Sequence, residues 1–177
     1  MDHHRPFALV GLFVTGTVAG AALGALCNSI NGWLSPHYFR NIFRGNDVQD
    51  LWRASLAQGI FEGLLFGIFL SLVFVIVAGL VSKVRCSYRF GATVLLAVVA
   101  IALVCWLIGG LVGIGLAALS PDFFRHAFRG APSDCPDMLR FAWVGGSILG
   151  LQFGGVAALI LESFAFYARW QRQERKG

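Results

Sequence analysis

The chain has 177 residues, of which 13% are charged and 57% belong to the apolar and aromatic set; its mean hydropathy is +0.72. Soluble domains carry charge at about 25% of positions, and a chain this short has no interior large enough for so much apolar surface, so a water-soluble globular protein is excluded. The net charge of +5 and pI of about 9.4 come from residues flanking apolar runs, which assigns them to anionic membrane headgroups and not to nucleic acid.

The first element is the run Phe7–Leu34, which holds no charged residue. It exceeds the core of an ordinary signal peptide, and Leu26 before Cys27 is too large for a lipoprotein-type cleavage site, so a retained span is expected. Gly16, Gly20 and Gly24 recur at intervals of four. Asn28, Ser29 and Asn31 lie near the far end of the run, where hydration is expected.

A connector follows, Ser35-Pro-His-Tyr-Phe-Arg-Asn-Ile-Phe-Arg-Gly45. Ser followed by Pro predicts a capped helix start. Phe39 with Phe43, and Arg40 with Arg44, sit four apart and predict apolar and basic faces, with Gly45 as the stop. Such a helix should lie in the membrane interface, Phe toward lipid and Arg toward headgroups. Asp47, Asp50 and Arg53 then open the second span, where acids complement the helix dipole and Asp50 can pair with Arg53.

The second run, Ala54–Ser82, contains one charge, Glu62, with Gln58 four residues earlier and small residues at Gly59, Gly63 and Gly67. A carboxyl at that depth is costly to ionise, so it should face the interior or stay protonated. After the basic loop Lys83–Arg89, the third run, Phe90–Pro121, is uncharged and carries Gly109 and Gly113. The second connector, Ser120–Gly130, contains Phe124, Arg125, Phe128 and Arg129, and is followed by Asp134, Asp137 and Arg140. The fourth run, Phe141–Ala168, holds Gly146, Gly150, Gln152, Gly154 and one charge, Glu162, which should sit exposed at the interface. A basic tail, 169–177, ends the chain.

Each run is 28 to 32 residues, and a spanning helix needs about 20. None shows the alternation of a barrel strand, so the runs predict four transmembrane helices. Small residues four apart on every run predict close helix packing, which in lipid replaces the missing hydrophobic drive.

The two connectors are also copies. Ser35–Gly45 and Ser120–Gly130 share seven of eleven residues at an offset of 85. At an offset of 87, Asp47, Asp50 and Arg53 match Asp134, Asp137 and Arg140, and Gly59, Gly63 and Gly67 match Gly146, Gly150 and Gly154. The expected fold is all-α: two tandem hairpin repeats, about 7–82 and 90–168, joined by loop 83–89 and related by a pseudo-two-fold along the membrane normal.

Basic residues set the expected orientation. The side with the N-terminus, loop 83–89 and the tail holds eight basic and two acidic residues; the connector side holds six basic and five acidic. The positive-inside rule places both termini in the cytoplasm, with the protein in the plasma (inner) membrane.

Chemical motifs are sparse. His3, His4, His37 and His126 form no helical ligand pair, and the four cysteines form no Cys-x-x-Cys. No metal site, cofactor or enzyme activity is expected. The candidate intramembrane polar site is Glu62 with Gln58 and Gln152; the candidate charge clusters are Arg40, Arg44, Asp47, Asp50 and Arg53, and Arg125, Arg129, Asp134, Asp137 and Arg140. The favoured function is a small channel or transporter-like protein acting as a homo-oligomer, with membrane lipids as partners. The alternative is a non-catalytic scaffold or accessory subunit whose glycine faces pack against a partner chain.

Overall fold

A computed structural model describes residues 5–43 and 48–175, and every regular element among them is a helix. In chain order these are α1 (Arg5–Leu34), α2 (Pro36–Ile42), α3 (Leu51–Ser82), α4 (Tyr88–Leu119), α5 (Pro121–Ala127) and α6 (Cys135–Glu174). Four of them, α1, α3, α4 and α6, are long and apolar enough to cross a membrane. Within their most apolar stretches only 17% to 33% of residues are buried, and Phe7, Leu80 and Phe153 are all more than 70% exposed. An apolar exterior on this scale has lipid as its solvent, and the chain is a multi-pass membrane protein.

The strongest packing lies within two antiparallel helix pairs, α1 with α3 and α4 with α6. Glycine makes both possible. A Cβ at Gly24 would run into the Gly59 carbonyl oxygen and the Gly63 Cα, and one at Gly146 into the Gly109 carbonyl oxygen and the Gly113 Cα. With no side chain between them the backbones approach to where Cα–H groups meet carbonyl oxygens, and dispersion over the contact supplies the attraction that lipid cannot.

Between the hairpins, α1 lies beside α4 and α3 beside α6, like-directed in each case. Leu12 fills the space over Gly91 and Thr15 Oγ1 hydrogen-bonds Tyr88 Oη at 2.9 Å. Phe66 packs on Gly155, and Phe74 meets Phe166 edge to face at 5.9 Å. The expected pseudo-two-fold is not shown by this packing, in which most contacts between the hairpins join α1 with α4 and α3 with α6.

The connectors also differ from expectation. α2 and α5 start at the anticipated Ser-Pro steps, but neither Ser35 nor Ser120 makes a side-chain cap hydrogen bond. Pro contributes no N–H at the first position, which reduces what a cap could satisfy. Phe39 and Phe124 are buried against the bundle, not turned to lipid, while Phe123 is 72% exposed. Arg44, Gly45 and Asp47 lie outside the described residues. Asp50 does cap α3, accepting from Arg53 N at 3.0 Å.

At the other end α3 stops in a tight turn. Lys83 and Val84 have φ of 49° and 63°, and the Val84 amide donates to the Gly79 carbonyl at 3.0 Å. The expected tail is in large part helix: α6 continues to Glu174, with Trp170 packed against Phe90 and Phe166. Glu162, expected at an exposed interface, is instead mostly covered (13% exposed), with Arg169 at 3.8 Å.

Candidate functional site

Where the hairpins meet, glycine removes side chains from the seam and leaves a cavity of about 90 Å³. All four long helices line it: Gly20 and Asn28 of α1, Glu62 and Phe66 of α3, Val98 of α4, and Leu151 and Gln152 of α6 are among the walls. A space of this size admits several waters. Glu62 lies eleven residues into α3, about 16 Å along its axis.

The polar residues singled out in the sequence converge in part. Gln58 Nε2 donates to Glu62 Oε1 at 2.7 Å, one turn apart on α3, while Gln58 Oε1 is buried without a partner. Gln152 reaches the same cavity from the other hairpin. Nearer the connector end, Asn31 and Ser147 bond across the hairpins, with Asn31 Nδ2 at 3.2 Å from Ser147 Oγ. Asn28 and Asn31 are buried, so the hydrated helix end expected from sequence is an internal polar tier.

Tyr38 of α2 belongs to this region. Its ring packs on Phe39 and Phe141 at 5.4 and 5.1 Å. Its pKa is raised above the usual tyrosine value, first by burial and second by the Glu62 charge.

The charge clusters are mostly satisfied locally. Arg53 pairs with Asp50 at 3.1 Å and Arg140 with Asp137 at 3.4 Å. Arg125 lies 3.5 Å from Asp122 and donates to the Ser133 carbonyl at 2.7 Å. His37 approaches Asp137 at 3.8 Å, tying α2 to α6. Arg40, Arg129 and Asp134 are exposed. The connectors touch where Asn41 Nδ2 donates to the Arg129 carbonyl at 3.1 Å, beside Gly130 at φ +84°, whose Cβ position Asn41 occupies. A groove at this junction is lined by Tyr38, Asn41, Arg129 and Phe141, among others.

The glycines Gly16, Gly20, Gly24, Gly59, Gly63, Gly67, Gly109, Gly113, Gly146, Gly150 and Gly154 all face the other helix of their own hairpin. Among the described residues no three His, Cys, Asp or Glu side chains converge on a point.

Sequence reasoning missed Phe66 as a wall of the cavity, the Asn31–Ser147 pair that bonds the hairpins together, and Tyr38 at the connector groove. Asn28 and Asn31, three apart in an uncharged helix, are the signal that could have found the tier. Compared with protein-family models, curated proteins and solved structures, the chain matches none of them.

Proposed function

We propose that this is a small channel or transporter-like membrane protein, acting as a homo-oligomer, with Glu62 at the centre of a cation site. One observation carries the reading: Glu62 and Gln152, from different hairpins, line the same cavity. A carboxyl held among apolar helices is expensive, and such groups mark ion or substrate paths by default. Two helical hairpins enclose a volume far smaller than a through-pore, so a continuous path calls for further copies of the chain.

The hairpins are a duplicated unit on this reading, which the matched connectors and glycine triplets support. The protein sits in the plasma (inner) membrane with both termini cytoplasmic, supported by the excess of basic residues on that side.

The test is flux of a panel of monovalent cations, alkali-metal and organic, into proteoliposomes. Uptake above protein-free vesicles that falls in Glu62→Gln supports the proposal. Absence of flux for every cation in the unaltered protein would refute it.

A scaffold or accessory-subunit role is the second reading. It draws on the outer face of α4, where Gly115 has nothing within 4 Å of its Cβ position and Leu111, Val112 and Leu116 are each more than half exposed. Recovery of a stoichiometric partner in mild detergent, with no flux, would favour it.

A further inference from the structure

We propose that the cavity between the hairpins binds a small, weakly hydrated organic monocation of the guanidinium type; this rests on the transport reading above and names its substrate class. The donor set decides the chemistry. Side-chain oxygens on the cavity wall come from Glu62, Gln152 and Asn28, with Ser71 deeper, and the rest of the wall is glycine, aliphatic side chains and one aromatic ring, Phe66. Calcium takes six to eight oxygen ligands, and magnesium keeps several waters in a strict octahedron; neither exchanges its hydration shell for walls like these. Guanidinium differs. It is planar, stays charged, is weakly hydrated, and presents N–H groups in a fork that matches a carboxylate.

The geometry around Glu62 suits that ion. Gln58 already donates to Glu62 Oε1 at 2.7 Å, which fixes the carboxylate and leaves its other oxygen for a ligand. Gln58 Oε1 is a buried acceptor with no donor. Phe66 follows Glu62 by one helical turn and lines the same cavity, so a planar cation held by the carboxylate lies within reach of an aromatic ring as well as a charge. Gln152 adds an amide from the opposite hairpin. A volume of about 90 Å³ accommodates an ion of a few heavy atoms.

The experiment is uptake of radiolabelled guanidinium and, in parallel, sodium by proteoliposomes holding the full chain. Guanidinium uptake about tenfold over protein-free vesicles is expected, with Glu62→Gln returning it to background. Phe66→Leu, which keeps the charge and the apolar bulk, should weaken half-saturation about fivefold. Each variant is used only if it elutes as the unaltered protein does in detergent; if Glu62→Gln does not, Phe66→Leu carries the test alone, and unchanged half-saturation in it overturns the proposal. Sodium uptake with guanidinium at background overturns the organic-cation assignment and leaves the transport reading standing. Guanidinium uptake indifferent to both substitutions overturns the site. Background uptake of both ions overturns the guanidinium assignment, while the transport reading stands or falls on the wider cation panel.

Discussion

Asn31 of α1 and Ser147 of α6 bond side chain to side chain across the two hairpins, both fully buried, with Ser147 Oγ also 3.0 Å from the Val144 carbonyl. A serine hydroxyl has one proton. It can serve either the Val144 carbonyl or Asn31 Oδ1, while the Asn31 amide donates to its oxygen in return. Ser147→Ala leaves the Asn31 amide without that acceptor. A loss of about 1–2 kcal/mol in unfolding free energy is expected, read from denaturant titration in detergent micelles.

The glycine contacts give a matched pair of substitutions. Gly24→Ala and Gly146→Ala each place a methyl group on a backbone carbonyl of the facing helix and should cost about 1–3 kcal/mol by forcing the hairpin open. Gly115→Ala meets nothing within 4 Å and gains helix propensity, so it should be neutral or slightly stabilising. Thermal unfolding of the three variants in detergent checks the contrast; equal effects at all three sites would contradict it.

Val84 is a β-branched residue at φ 63°, a region that disfavours a branched side chain. The residue is 44% exposed, so little packing is lost on removing its side chain. Val84→Gly should raise stability by about 1 kcal/mol, seen as a higher unfolding temperature. A lower one would mean that the turn is held by contacts of the valine itself.

Tyr38 provides a pH-dependent signature. Its pKa is raised above 10.0, first by burial and second by Glu62. A group whose folded pKa is raised contributes stability that is fully present below the unfolded value and lost as pH climbs through the folded one. The loss should therefore begin above about pH 10. Ultraviolet titration in a Tyr88→Phe, Tyr167→Phe background should show a high tyrosinate midpoint that falls when Glu62 becomes Gln. A midpoint unmoved by Glu62→Gln would remove the electrostatic link between connector and cavity.

Cysteine labelling reports the orientation. Cys135 is exposed at the connector end, and Cys86 is buried at the other. Burial also pushes the Cys86 thiol pKa up, against a smaller lowering by the Gly91 backbone amide, which slows its reaction as a thiolate. A membrane-impermeant maleimide applied to intact cells should label Cys135 and spare Cys86. Protection of Cys135 until the cells are opened would invert the proposed orientation.

The spans were legible because length and absence of charge define a membrane helix without reference to its neighbours. Glu62 and Gln58 were legible for a related reason: one turn of helix puts i and i+4 together. Gln152 was noticed as polar, but its meeting with Glu62 depends on how two hairpins pack, and no local period encodes that. Tyr38 was hidden by its place in a connector read as an interfacial helix, where its neighbours Phe39 and Arg40 suggested lipid and headgroups. The packing of one hairpin on the other was not legible for the same reason. A repeat in sequence fixes the shape of each hairpin, while the face each presents to the other depends on Leu12, Phe74 and Phe166, residues outside the matched blocks.

Because glycine brings the two helices of each hairpin into backbone contact, over Gly20–Gly24 with Gly59–Gly67 and over Gly109–Gly113 with Gly146–Gly150, neither helix can slide on its mate without a collision of main chains. The interface between hairpins is made of side chains, which can change rotamer. Any breathing of the molecule is therefore a movement of two stiff planks against each other, and the space holding Glu62 widens or narrows with it.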